Sequence, residues 1–239
     1  MKKIKDWKEK IILISVIYTI GLLFGITFYL LKAFRRIRIE HKERFPRNQR
    51  GILVVSNHPS LLEPILLPHL FFSGYIRHPL SLSPWSVADK SNYYDKWYWK
   101  WLRVRLIAID RESDKESRAG FRKLKEILKS GANCVLFPEG GRTCSGNDFV
   151  YSPKGKRIRV LKRGVSLLII QTNPLVVPVW IKGTDKVLPN KKGKLYGYFP
   201  RFWRVSTIKI GEPIRIDSKD KNGVTGILMS ALLKLADEE

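Results

Sequence analysis

Cysteine and methionine are scarce, two of each in 239 residues. No disulfide framework can therefore carry the fold. Cys134 sits in an apolar run and Cys144 follows a Gly-rich turn, so both read as free thiols of a reducing compartment rather than a bridge or a metal pair. Internal repeats and low-complexity stretches are also missing. Acidic residues are in short supply, 21 against 45 Lys and Arg, for a net charge of +24. That imbalance points to a polyanionic partner: nucleic acid, an anionic membrane or a phosphorylated substrate. Aromatics are not scarce. With 7 Trp, 9 Tyr, 11 Phe and 44% hydrophobic residues the chain can bury a sizeable core, which excludes a disordered basic tail. Its length fits one large domain plus an accessory segment.

Charge is also absent from one long stretch. Residues 11–31, IILISVIYTIGLLFGITFYLL, carry none. As a helix they would extend about 31 Å, against about 30 Å of bilayer hydrocarbon. A signal peptide is the competing reading, since Lys2, Lys3, Lys5, Lys8 and Lys10 form a basic leader. The run is long for that role and ends in Lys32-Ala33-Phe34-Arg35-Arg36 rather than a small-residue cleavage site. A retained membrane anchor is the expectation. Both flanks are basic, with the heavier one after the run (Lys32, Arg35, Arg36, Arg38, Lys42, Arg44, Arg47 and Arg50). The positive-inside rule then puts the main domain on the cytoplasmic side of the cell membrane. A re-entrant or monotopic helix broken at Gly21 or Gly25 fits the same pattern. Gly21-x-x-x-Gly25 also matches a helix-dimer motif. The expected division is an anchor with basic flanks over residues 1–50 and a catalytic domain over residues 51–239.

Beyond the anchor, strand-like and helix-like patterns alternate. Residues 51–56, 105–110, 132–137, 175–181 and 205–210 are short β-branched runs, and 78–83 is a weaker candidate strand. Residues 114–130 place Phe121, Leu124, Ile127 and Leu128 on one face and stop at Gly131; 163–172 and 223–237 also read as helices. The expected fold class is α/β, a mixed central sheet flanked by helices with an N-terminal membrane-anchoring helix.

Two constellations carry chemistry. In Ser56-Asn57-His58-Pro59-Ser60-Leu61-Leu62-Glu63-Pro64 a histidine at a strand end precedes a carboxylate by five residues. A carboxylate beside His fixes the tautomer and stabilises the imidazolium, as general-base catalysis requires. Five residues on one helix would point about 140° apart, so the pair can meet only if His58 lies in the preceding turn. The competing reading is a capping box, Ser60-x-x-Glu63, in which Glu63 serves only backbone N–H groups. In Phe137-Pro138-Glu139-Gly140-Gly141-Arg142-Thr143 a strand runs into a glycine pair flanked by a carboxylate and a guanidinium. Arg suits bidentate phosphate recognition, and glycines let backbone N–H groups approach an anion; a tight turn with a surface ion pair is the alternative.

Taken in order, NHPSLLEP, Ile109-Asp110-Arg111, FPEGGRT and Val176-Val177-Pro178-Val179 resemble the glycerolipid acyltransferase family, of the 1-acylglycerol-3-phosphate (lysophosphatidate) acyltransferase type. Lys162-Arg163-Gly164-Val165 also looks like the family's K-x-G-A segment. The resemblance covers about residues 50–185. It implies His58 as the base for the acceptor hydroxyl and Glu63 as its orienting carboxylate. It implies Arg111, Glu139, Gly140 and Arg142 as ligands of the glycerol phosphate, and Pro178 as a wall of the pocket. Glu63 stands where the family has Asp, and Arg105 and Ala108 replace the Gly and Phe of the second block.

The resemblance further implies acyl transfer from acyl-CoA or acyl carrier protein to the sn-2 hydroxyl of 1-acylglycerol 3-phosphate, giving phosphatidic acid for phospholipid synthesis. No cofactor and no metal are expected, the thioester being a co-substrate. The expected partners are the lysophospholipid acceptor, the acyl donor and an anionic membrane surface, with no nucleic acid. The basic run 154–163 and the aromatic run 92–101 (NYYDKWYWKW) suit an interfacial belt of Trp and Tyr beside Lys and Arg. Basic-aromatic interleaving also occurs at single-strand nucleic-acid sites. The alternatives are therefore another lysolipid acceptor, or a catalytically silent membrane or nucleic-acid binding protein.

Overall fold

The computed structural model describes residues 7–95, 97–110, 113–189 and 200–238. A seven-stranded sheet runs in the order β1-β9-β8-β2-β5-β3-β4. Its strands are β1 (Ile37–Glu40), β2 (Ile52–Ser56), β3 (Trp85–Asp89), β4 (Leu106–Ile109), β5 (Cys134–Leu136), β8 (Leu175–Lys182) and β9 (Ser206–Ile210). All neighbours are parallel except β8 and β9, which makes the sheet mixed. A two-stranded hairpin, β6 (Phe149–Tyr151) and β7 (Arg157–Arg159), stands beside it.

Each central strand buries both faces, so its residues divide by parity. Leu53, Val55, Leu136 and Val176 point to one side, where they pack with Leu124 of α6 (Asp114–Lys129), Leu168 of α7 (Gly164–Thr172) and Leu228 of α9 (Lys221–Asp237). Ile52, Val54, Val135, Val177 and Val179 point to the other, against the N-terminal helix and residues 67–75.

The expected strands 51–56, 105–110, 132–137, 175–181 and 205–210 and the three expected helices all form, with ends moved by at most a few residues. The weaker candidate 78–83 is corrected: Pro79–Leu82 is a short helix, α5, and the strand is β3 just beyond. Pro79 opens that helix, where its missing N–H and fixed φ cost nothing. β1 and the β6–β7 hairpin have no counterpart among the expected strands. The hairpin takes in part of the basic run 154–163, where Ile158 and Leu161 turn inward and Lys154, Lys156 and Arg157 stay exposed.

The apolar run forms one helix of 27 residues, Trp7–Ala33, among the described residues the one helix long and apolar enough to cross a membrane. It consists of α1 (Trp7–Val16), a π-helical turn (Ile17–Gly21) and α2 (Leu22–Ala33). One stripe, with Leu13, Val16, Ile17 and Phe28, is buried on the sheet; the opposite stripe, with Ile12, Leu23, Ile26 and Leu30, is exposed. Gly25 sits against the Phe72 ring so closely that an added Cβ would come within 1.9 Å of it. The small residue thus seats the helix on its own domain, and Phe72 occupies the notch that a helix-dimer motif would offer a second copy.

Candidate active site

The His58 loop leaves the carboxyl end of β2 in the middle of the sheet. Asn57 holds the departing chain against β8, its Nδ2 donating to Ile181 O (2.8 Å) and its Oδ1 accepting from Ile181 N (2.7 Å). His58 then lies in the turn before α3 (Glu63–Leu66), as the dyad requires. Its Nδ1 stands 2.8 Å from Glu63 Oε2, and both side chains are buried. A carboxylate can only accept, so Nδ1 carries the proton and Nε2 is left as the base. The ring stacks on Phe137, with centroids 4.4 Å apart.

Glu63 also serves the backbone. It accepts from Ser60 N (3.0 Å to Oε2) and from Ser60 Oγ (2.9 Å to Oε1). Half of a capping box is therefore present, and the two readings of Glu63 hold together: one carboxylate closes the turn and faces the imidazole. The extra methylene of Glu over Asp spans the distance without displacing Ser60.

The second constellation clamps the first. Glu139 is fully buried and accepts from His58 N (2.8 Å), Thr143 Oγ1 (2.7 Å) and Arg159 N of β7 (3.1 Å). Thr143 N returns a bond to His58 O (2.8 Å). Burial pushes the Glu139 carboxyl above its ordinary value, and these three donors pull it back. Both oxygens are thereby spent on protein groups, which makes Glu139 the post that ties the His58 turn, the FPEGGRT loop and β7 together. Gly140 adopts φ +66°, which only glycine takes freely, and the Lys162 side chain lies over it. Arg142 is half-buried and immediately precedes Thr143, so its backbone adjoins His58. Arg111 lies outside the described residues. Pro178 pairs with Val55 in the sheet register, on the α7/α9 side, where its ring meets Gly211; the structure does not bring it to the dyad.

Asn57, Phe137 and Thr143 carry parts of the site to which their types alone gave no clue. The signal was their adjacency to His58 and Glu139 in the two motifs.

A largely apolar groove lies under the N-terminal helix, lined by Leu13, Val16, Ile17, Ile20 and Phe24 of that helix and by Pro64, Ile65, Ser86, Arg105 and Leu106; His58 and Glu63 do not line it, but Pro64 directly follows Glu63 in the chain. Its cavity volume is about 120 Å³. His69 also lines it, bonded through Nδ1 to Tyr75 Oη (2.8 Å), and burial lowers its pKa from 6.5 to about 4. An oriented base, with an apolar groove lined from the residue after its carboxylate partner, supplies the two parts needed to deprotonate a hydroxyl near a hydrocarbon chain.

The fold is similar to the crystal structure of the 1-acyl-sn-glycerophosphate acyltransferase PlsC from Thermotoga maritima, with a TM-score of 0.61 and 21% identity, covering 98% of this chain and 85% of that one. In sequence, the chain is 25% identical over 156 residues to the chloroplastic 1-acyl-sn-glycerol-3-phosphate acyltransferase LPAT1 of Arabidopsis thaliana, covering 65% of this chain and 38% of that protein. It is 25% identical over 158 residues to a Mycoplasma pneumoniae protein named as a probable 1-acyl-sn-glycerol-3-phosphate acyltransferase, covering 66% of this chain and 53% of that protein. The alignments thus span about half or less of these relatives' length. The family model described as Acyltransferase matches residues 36–182, from just before β1 to the end of β8 and including both motifs; the chain belongs to the Acyltransferase family.

Proposed function

We propose that the protein transfers a fatty acyl group from a thioester to the free hydroxyl of 1-acylglycerol 3-phosphate. The observation that carries this reading is the buried His58–Glu63 pair, with an apolar groove lined from the next residue, Pro64, onward. His58 Nε2 takes the proton of the acceptor hydroxyl, the oxygen attacks the thioester carbonyl, and Glu63 stabilises the imidazolium. Collapse of the tetrahedral species breaks the C–S bond, and the proton passes to the departing thiolate. The groove holds the acyl chain. Arg142, with Arg111, supplies the charge for the acceptor phosphate, and phosphatidic acid is the product. The donor is acyl-CoA or acyl carrier protein; the basic β6–β7 hairpin suits the anionic groups of either.

The same reading places the protein at the cell membrane, with its catalytic domain on the cytoplasmic side. The exposed stripe of the N-terminal helix is flanked by exposed aromatics. Trp97 and Trp101 lie in the segment packed on α1; Phe34 and Trp203 lie beyond α2, where Arg36 donates to Trp203 O (2.9 Å). Because the helix is held to the domain from Leu13 to Phe28, about 22 Å of its axis, it lies in the interface with its outer stripe in the acyl region.

The test is transfer of a labelled acyl group to lysophosphatidate by purified full-length protein, with His58→Ala as control. Loss of product in His58→Ala, with unchanged circular dichroism, supports the reading. Equal activity in the variant refutes it.

A further inference from the structure

Most polar groups that line the groove are committed. His69 is bonded to Tyr75, and Ser83 Oγ accepts from Arg105 Nε (2.7 Å) and donates to Pro79 O (2.6 Å). Ser86 differs. It is 3% exposed, and its Oγ has no hydrogen-bond partner among the described residues. Its direction follows from register. Ser86 pairs with Val135 and Leu106, and Val135 packs on the side that carries the N-terminal helix. The hydroxyl therefore belongs to the groove side of the sheet, and it lines the groove beside polar groups that already have partners. A sealed hydroxyl without a partner is costly, and a ligand oxygen is one way to satisfy it.

The register also gives its depth. Ser86 is level with Val135, and Val135 with Val54, four residues before His58. Four residues along the strand span about 13 Å, and β3 stands two strands over from β2, about 10 Å across the sheet, so the separation is about 16 Å. An extended chain advances about 1.2 Å per bond, taking the peptide's three bonds per residue as the guide. With the thioester carbonyl at His58, Ser86 faces the chain near its thirteenth to fifteenth carbon.

We propose that this groove accepts acyl groups carrying a hydroxyl in the distal half of the chain, near the fourteenth carbon, and that Ser86 is the residue that recognises it. The inference rests on the acyl-transfer reading and deepens it by naming a donor class. The chain hydroxyl takes no part in the reaction. It exchanges a hydrogen bond with Ser86 Oγ, while the ester forms and the C–S bond breaks at the other end. An unsubstituted chain leaves Ser86 unpaired. A single neutral hydrogen bond corresponds to a three- to tenfold preference in kcat/KM.

The experiment uses full-length protein in nanodiscs with lysophosphatidate and equal amounts of two competing donors, stearoyl-CoA and 14-hydroxystearoyl-CoA, the products being weighed by mass spectrometry. The expected result is a three- to tenfold excess of the hydroxy product, falling towards one in Ser86→Ala. The 3-hydroxystearoyl donor, whose oxygen lies near the dyad, should show no such Ser86-dependent excess. Stearoyl transfer with no preference in the wild type overturns the hydroxyl subsite while leaving the acyltransferase reading intact, and this arm needs no variant to fold. A preference unchanged in Ser86→Ala, or one equally strong and equally Ser86-dependent for the 3-hydroxy donor, also overturns it. Transfer of neither acyl group, whether offered as the CoA or as the acyl carrier protein thioester, removes the acyltransferase reading and this inference together.

Discussion

Replacing Glu63 by Gln separates catalysis from capping. Gln has the same shape, so the turn survives: its oxygen can accept from Ser60 N and His58 Nδ1, and its amide can face Ser60 Oγ, which also accepts. Stability should fall by less than about 1 kcal/mol, one neutral hydrogen bond at most. The charge, however, is gone. Unit charges 2.8 Å apart interact by about 6 kcal/mol at an effective dielectric of about 20, an upper bound for the imidazolium–carboxylate pair. The amide dipole retains part of this, and the proton is only partly transferred in the transition state. About 3 kcal/mol of transition-state stabilisation should disappear, or roughly 10²-fold in kcat. If the amide instead donates to Nδ1, the proton sits on Nε2, no base remains, and the loss is larger.

The assay is steady-state transfer to lysophosphatidate, with urea unfolding followed by Trp fluorescence on the same samples. Ser60→Ala is the companion variant. It removes a donor to Glu63 and an acceptor for Leu62 N (3.1 Å), so it should lower stability more than kcat. Near-full activity in Glu63→Gln, with Ser60→Ala losing stability, would mean that Glu63 only closes the turn.

Glu139→Gln should destabilise by about 2 to 3 kcal/mol and lower kcat, since an amide nitrogen must face one of three backbone or hydroxyl donors; unfolding and turnover measured together check this. Arg142→Ala should raise KM for the phosphorylated acceptor with little change in kcat, and Arg142→Lys should recover only part, lacking the bidentate fork. His69 gives a pH signature. Its folded pKa is depressed to about 4 from 6.5, so the unfolded chain binds the proton first as pH falls. The stability this contributes is full above pH 6.5 and is lost towards pH 4, about 3 kcal/mol in all; unfolding at pH 7 and 4.5 should differ less in His69→Phe than in the wild type. Gly25→Ala should lower the melting temperature, since its Cβ meets the Phe72 ring.

What the sequence made legible was local. His58 and Glu63 lie five residues apart across one turn, so strand-then-turn geometry was enough to bring them together. Glu139 was legible as a motif and not as a contact, because its third donor comes from Arg159, twenty residues on in a hairpin that reads as a charge run. Pro178 was placed beside the pocket by resemblance. Its face is set by pairing with Val55, a parity that no single strand reveals. Residues 78–83 alternate like a strand, yet Pro79 at a first helical turn decides otherwise, and the chain waits until Trp85 to join the sheet.

The uniform hydrophobicity of residues 11–31 is what the proposed place at a membrane calls for. A surface helix of a water-bathed domain shows one apolar stripe and one polar one. Here the stripe of Leu13, Ile17 and Phe28 meets the sheet, and the stripe of Ile12, Leu23, Ile26 and Leu30 has no protein over it among the described residues. The pattern makes sense if lipid covers the second stripe. The same geometry explains why the groove lies where it does. Its roof is the inner stripe of this helix and its floor the β3–β4 side of the sheet, so on the proposed function the bilayer and the acyl chain would lie on opposite faces of one helix. Anchoring and acyl binding are then two faces of one segment, and a polar residue on either face would disturb one without touching the other.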